Sequence, residues 1–450
     1  MRDRDQSSSV VRKSINLYVG TPYCLPTDPD RCGFCLFPSA VYKDKQQLDT
    51  YLGYLRREGE MFRPHLGNAE LASVYFGGGT SNLYKADQYS ALMDIVRGVF
   101  DVPSSIEVTL EGIPQTFNRE KLEAMKACGI NRISMGVQQI DDKLIELSGR
   151  KQTSAQVFRT IDICRDLNFP ISIDLIFGWP TQTISQMLDD LKAVVATGVN
   201  HLTHYELNVA GRTDFSRNRR DELPSTEQKL EMYKVGRDFL VSEGFTQVTP
   251  YDFERSGTLP STYLYEELFR NPFQDDEGQL IGYDAWGWGF AGISFFFGTP
   301  DSPGWAYMNH TKVEDYFRDI DTGRFPVRRG FHYSTVDLRL HLLFQELQSL
   351  SVDRQRYYSL FGLDIVDEHL SVWQALSKLK WAVVHENLIT IEGDGAFYLP
   401  LIQNLLANDR LSVMRKNRVS VVGSSPRRAT DQDGGTTQDS VSVMQTARAS

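Results

Sequence analysis

Six short runs rich in apolar and β-branched residues punctuate the first half of the chain, at 15–19, 73–76, 106–110, 132–137, 171–177 and 201–207. Each has the length and composition of a buried strand. Between them, apolar residues recur at helical spacing in 46–64, 85–100, 118–127, 154–167 and 182–196. Strand–helix alternation predicts right-handed βαβ units on a parallel sheet. Six such units in about 200 residues predict an α/β fold, an open (β/α)6 partial TIM barrel; a closed barrel needs eight. The expected strands end in polar or glycine residues, Gly77-Gly78-Gly79-Thr80, Glu111, Gln138 and Asp174. In parallel α/β folds that carboxyl rim is where ligands bind.

Beyond 225 the pattern changes. A helix is expected at 226–245, then a loop-rich stretch at 256–279. Glycines and aromatics mix over 283–297. Two readings stand for Trp286, Trp288 and Phe290: an apolar wall over a flat substrate, or an aromatic core plug. Residues 334–406 read as helices with a strand pair at 388–391 and 396–399, a winged-helix-like α+β accessory domain. The polar stretch after 411 lacks a packing face. The expected organisation is therefore a flexible 1–13, a barrel at 14–225, a capping region at 226–330, an accessory domain at 331–410 and a disordered 411–450.

Composition narrows the function. The chain has 450 residues, 41% of them hydrophobic, and a net charge of −10. That balance argues against nucleic acid or an anionic membrane as partner. No apolar run is long enough to span a bilayer, and 1–13 lacks the apolar core of a secretory signal. A cytoplasmic, reducing location is expected, where five cysteines serve metal or redox chemistry rather than disulfides.

Three of those cysteines cluster directly after the first strand, as Cys24, Cys32 and Cys35. Three thiolates can hold three irons of a [4Fe-4S] cubane and leave the fourth open for a small-molecule chelate. Zinc is the rival, but structural zinc takes four nitrogen or sulfur ligands, and this loop holds no histidine or fourth cysteine. Cys128 and Cys164 fall in apolar helical patterns and read as core.

The segment Tyr18-Val19-Gly20-Thr21-Pro22-Tyr23-Cys24, followed by Cys32-Gly33-Phe34-Cys35, resembles the coproporphyrinogen III dehydrogenase-like (HemN/HemW-like) branch of the radical S-adenosylmethionine (SAM) superfamily. Further motifs agree in order: Gly77-Gly78-Gly79-Thr80, Glu111-Gly112-Ile113-Pro114, Asn131-Arg132-Ile133-Ser134-Met135-Gly136-Val137-Gln138, and Asp174-Leu175-Ile176-Phe177-Gly178-Trp179-Pro180-Thr181-Gln182-Thr183. The resemblance implies a [4Fe-4S] cluster on Cys24, Cys32 and Cys35, SAM, a small-molecule substrate, and an electron donor such as flavodoxin or ferredoxin. It implies that Tyr18, Gly78 and Glu111 contact the SAM on the cluster. It further implies that Phe34, Gly79, Thr80, Gln138, Arg150 and Asp174 contact a second SAM. On that basis the expected reaction is methyl or methylene transfer to a tetrapyrrole or natural product. Oxidative decarboxylation of a porphyrinogen propionate and haem binding by a chaperone are the alternatives.

The chain departs from the family pattern in three places. Seven residues, 25–31, separate Cys24 from Cys32, where three are usual. Gly20 stands where the family has His. Phe37 stands where coproporphyrinogen dehydrogenases carry a further Cys, and the His-Asn-x-x-Tyr-Trp segment of the haem chaperones is absent.

Overall fold

The computed structural model describes residues 14–422 apart from 68, 210, 212 and most of 256–283. The six expected strands are all present: β1 (Ser14–Thr21), β2 (Glu70–Gly78), β3 (Glu107–Gly112), β4 (Arg132–Gln138), β5 (Ile171–Phe177) and β6 (His201–Glu206). They pair in parallel in that order. The helices between them are α1 (Lys45–Phe62), α2 (Ala86–Arg97), α3 (Arg119–Cys128), α4 (Ser154–Asp166) and α5 (Ile184–Val195). Their starts follow capping chemistry. Asp44 accepts the Gln47 N–H, and Thr153 with Gln156 and Thr183 with Gln186 form capping boxes.

Parallel partners point to the same face, so the register sorts the sheet into two surfaces. Val19, Phe76, Leu110 and Ile133 lie side by side and face the helices. The other face is polar. Tyr18 pairs with Tyr75 and Tyr75 with Thr109; Glu111 pairs with Ser134 and Ser134 with Ser172; Asp174 pairs with Thr203. Parallel sheets ordinarily bury apolar residues on both faces. A polar inner face is what a ligand-holding lumen requires.

The sheet does not stop at β1. After α6 (Thr226–Ser242), β7 (Phe245–Gln247) and β8 (Asp252–Arg255) extend the β6 edge in antiparallel fashion. At the other edge, β9 (Asp284–Gly289) pairs with β1 in parallel, and β10 (Ile293–Phe296), β11 (Trp305–Asn309) and β12 (Val327–His332) follow antiparallel. Among the described residues the result is one open sheet of twelve strands.

This settles the glycine–aromatic segment, apart from Tyr283, which lies outside the described residues. Trp286 and Trp288 are fully buried and stack on each other at 4.9 Å. Trp286 also stacks on Phe62 of α1 at 4.4 Å, and the Trp288 indole N–H donates to the Leu55 carbonyl. They form the core beneath α1, so the reading of these two tryptophans as a substrate wall is corrected. The register explains why: joining β1 places alternate residues of β9 on the helix-facing side.

The C-terminal unit has its own apolar cluster, including Leu347, Val352, Trp373, Ile389 and Ile402. Leu388–Ile391 is a strand, as expected, but its partners are Ser351–Asp353 and Ala382–Val384. Residues 396–399 are not a strand. A turn at Gly393–Gly395, with Gly393 at φ +55°, and Pro400 at the start of helix Leu399–Leu406 end the extended chain there. A further helix, Asn408–Val422, occupies the start of the region expected to be disordered from 411. The rest of that region, and 1–13, lie outside the described residues. No helix among the described residues is long and apolar enough to cross a membrane.

Candidate active site

The loop leaving β1 carries the cysteines to the carboxyl rim. Arg31, Cys32 and Gly33 are consecutive left-handed residues, at φ +51°, +56° and +72°. The turn they make is closed by the Cys35 N–H on the Arg31 carbonyl at 3.1 Å. The Cys32 N–H is capped by Thr27 Oγ1 at 2.9 Å. Each cysteine keeps some solvent contact, while the thiols lie deep enough to feel one another. Burial pushes the Cys35 thiol up to about 12; the Phe37 N–H opposes the rise, and Cys32 and Cys24 add to it. Burial also raises Cys24, against hydrogen bonds from Ser39 and Thr80, and Cys32 adds to that rise. Cys24 and Cys35 thus both lie near enough to Cys32 for it to oppose their ionisation.

That arrangement fits a cubane. Positively charged irons would offset that penalty, with Cys24, Cys32 and Cys35 as the thiolates that would hold them. Among the described residues, no three His, Cys, Asp or Glu side chains are grouped to hold a single metal ion.

Arg150 links the thiols to the lumen. Its Nε donates to Cys32 Sγ at 3.3 Å and its Nη1 to the Gly136 carbonyl at 2.8 Å. Its guanidinium lies 5.8 Å from the Phe34 ring centre. Phe34 packs edge-on against Trp179 and also against Phe215, at 5.3 and 6.1 Å between centroids.

Opposite stands Glu111, 7% exposed on β3. Burial holds its carboxyl well above the usual carboxylate range; Asp174 raises it further, while the Tyr75 hydroxyl and Arg150 act against the rise. Glu111 therefore senses both Asp174 and Arg150. The glycines leave room beside it. A side chain at Gly77 would meet the Tyr75 ring at 2.7 Å, with Glu111 Oε2 and the Tyr18 hydroxyl both at 2.9 Å. Gly78 takes φ +105° beside the Thr21 backbone, and Gly79 N–H donates to the Thr21 carbonyl at 2.7 Å. Thr80 N–H donates to Tyr23 O at 2.8 Å.

Gln138 ends β4 at φ +70°, where the register with β5 slips between Gly136 and Gln138. The bulge re-aims its side chain. Its Oε1 is buried without a hydrogen-bond partner, an acceptor left for a ligand.

Tyr18, Phe34, Gly78, Gly79, Thr80, Glu111, Gln138, Arg150 and Asp174 therefore all lie on the rim or inner face with the cysteines. Cys128 and Cys164 are buried in the core under the helices. Sequence reasoning missed Tyr75, which donates to Glu111, and Ser39, which bonds to Cys24. Tyr75 was findable, since it precedes Gly77 by the strand period of two. Ser39 was not, because its neighbourhood is set by the loop's return. Gly20 has a structural cause: a side chain there would strike the carbonyl of Phe290, just past β9. Phe37 instead packs its ring on Phe290 at 6.0 Å.

A model of the radical SAM superfamily matches residues 29–194, starting inside the widened cysteine loop. The haem chaperone HemW of Bacillus subtilis is 26% identical over 398 residues, 87% of this chain and 97% of that protein. The oxygen-independent coproporphyrinogen III oxidase of Escherichia coli is 26% identical over 403 residues, 87% of this chain and 84% of that protein. Matches to some other relatives span only 55% and 63% of those proteins' length. In structure, the chain resembles the E. coli coproporphyrinogen III oxidase HemN with a TM-score of 0.75 at 24% identity, covering 88% of this chain and 89% of HemN, which establishes the shared fold. Residues 29–194 therefore match the radical SAM domain, whose family members use a [4Fe-4S] cluster and SAM, and most of the chain is similar to proteins of the HemN and HemW type.

Proposed function

We propose that this protein cleaves SAM reductively and directs the resulting radical to hydrogen abstraction from a porphyrinogen-type substrate, as an oxidative decarboxylase of the coproporphyrinogen oxidase kind. One observation carries the reading: the cysteine loop shares a rim with Arg150, which bonds Cys32, and with the Glu111–Asp174 carboxylates. A cluster and SAM bound there would supply one-electron cleavage of a carbon–sulfur bond.

The chain's own residues prepare that chemistry. Cys24, Cys32 and Cys35 hold the cluster. Gly77, Gly78 and Gly79 give backbone access, and Glu111 accepts ribose hydroxyls beside them. Arg150, held by Cys32 and the Gly136 carbonyl, adds a fixed positive charge that attracts a carboxylate. Asp174 sets a negative charge against a sulfonium, in a poorly solvated place where one charge counts most. The buried Gln138 Oε1 accepts from an ammonium or hydroxyl group. Electrons come from a flavodoxin- or ferredoxin-type donor.

The chaperone reading is the second, favoured by a match to HemW along almost its whole length. Methyl or methylene transfer, the leading expectation from the motifs, has less support than either, because the relatives matched along most of their length are an oxidase and a chaperone.

The test uses anaerobically reconstituted protein with dithionite, methyl-labelled SAM and coproporphyrinogen III, and separately haem. 5′-Deoxyadenosine together with carbon dioxide from the substrate is expected. Stable haem binding without carbon dioxide gives the chaperone, and label in the product gives group transfer.

A further inference from the structure

The residues that widen the cysteine loop are built into the site. Thr27 Oγ1 donates to the Pro29 carbonyl at 2.8 Å while accepting the Cys32 N–H at 2.9 Å. The Asp28 backbone lies directly on Gly149. A β-carbon at 149 would fall on the Asp28 carbonyl oxygen, and 2.6 and 2.7 Å from its carbonyl carbon and nitrogen. Gly149 itself takes φ +68°, a conformation that favours glycine.

The next residue is Arg150. Its backbone N–H donates to Ser148 Oγ at 3.4 Å, and its guanidinium bridges the Gly136 carbonyl and Cys32 Sγ. Each cysteine sulfur has a donor of its own. Cys24 has the Ser39 and Thr80 hydroxyls, Cys35 has the Phe37 N–H at 3.4 Å, and Cys32 has Arg150 Nε. Only the donor on Cys32 carries a full charge.

Reduction adds an electron to a cluster whose charge spreads onto its thiolate sulfurs. N–H donors to those sulfurs favour the reduced form and raise the potential. A charged donor in a poorly solvated site has the largest effect. We propose that Arg150 raises the reduction potential of the cluster through Cys32, and that the 25–31 insertion is the brace that holds it there by seating Asp28 on Gly149. Arg150 is in this respect a positioning residue: it acts through the Cys32 sulfur. The inference rests on the cluster assignment and is independent of which substrate is used.

Potentiometric titration of the full-length, reconstituted chain without SAM tests it, with the reduced cluster followed by electron paramagnetic resonance. Arg150→Gln is expected to keep wild-type iron and sulfide content while its midpoint moves to more negative potential. Arg150→Lys, which keeps the charge, should recover most of that shift. Gly149→Ala, which retains Arg150 but unseats Asp28, should shift in the same direction. Should Gly149→Ala fail to fold, Thr27→Val, which removes the Cys32 cap, takes its place with the same expectation. A wild-type midpoint in fully loaded Arg150→Gln overturns the tuning role. A wild-type midpoint in the folded brace variant overturns the brace. Failure of the wild-type chain to load iron strikes the cluster assignment instead, so the two failures are distinct.

Discussion

Tyr75 and Glu111, on adjacent strands of the lumen, are joined by a hydrogen bond from the phenol to Oε2 at 3.3 Å. The bond fixes one carboxylate oxygen beside Gly77, where a single methyl group would crowd it. Glu111→Gln should keep the fold and weaken SAM binding, because the ribose hydroxyls lose a buried acceptor, at a cost of about 1.5–3 kcal/mol. That corresponds to a roughly tenfold to hundredfold higher Kd. Gly77→Ala should act in the same direction by intrusion. Equilibrium SAM binding to the reconstituted protein measures both, and wild-type affinity in each removes Glu111 from the binding site.

Cys24→Ala, Cys32→Ala and Cys35→Ala should each abolish the cluster, whereas Cys128→Ala and Cys164→Ala should retain it. Iron and sulfide analysis decides this. Full loading of the triple Cys24, Cys32, Cys35 to Ala variant would falsify the ligand assignment.

Gln138 holds a left-handed backbone conformation that costs a non-glycine residue about 1 kcal/mol or more. Gln138→Gly should therefore raise stability by about that amount while weakening SAM-dependent 5′-deoxyadenosine formation. Denaturant midpoints and SAM titrations read the two effects. A variant that is less stable and still fully active contradicts the assignment of strain and acceptor to this residue.

Trp286→Ala should cost about 3–5 kcal/mol, the range for deleting a large buried aromatic. It should leave the KM of the folded fraction unchanged, since the ring packs on Phe62 and Trp288 beneath α1. A raised KM with little loss of stability would restore the substrate-wall reading.

Glu58, buried in α1, accepts from Tyr316 Oη at 2.6 Å, Asn309 Nδ2 at 2.8 Å and Gly289 N at 2.9 Å. Burial nevertheless raises its carboxyl to about 7, against those three hydrogen bonds. A carboxyl raised in the folded state binds more protons there than in the unfolded chain. Stability linked to it is present below about 4.5 and is lost as pH rises towards 7. Thermal melts should show a steeper fall between about pH 4.5 and 7 in wild type than in Glu58→Gln. Parallel slopes would mean that Glu58 is ionised throughout.

Much of this protein can be read along its chain. Short apolar, β-branched runs and helical spacing located all six strands and the intervening helices, because both are local properties of the chain. The cysteine spacing and the glycine, glutamate and aspartate at strand ends marked the rim, since a parallel sheet brings every strand end to one side. Tertiary structure alone decided where 284–289 would go. Its glycine–aromatic pattern suits either a lid or a strand, and pairing with β1 set which face Trp286 and Trp288 would take. It also decided that 396–399 would leave the sheet, and that Asp28 would rest on Gly149 and bring Arg150 to Cys32. These are contacts between residues far apart in sequence. They depend on which surfaces meet after the chain has folded, and no local period or propensity encodes that.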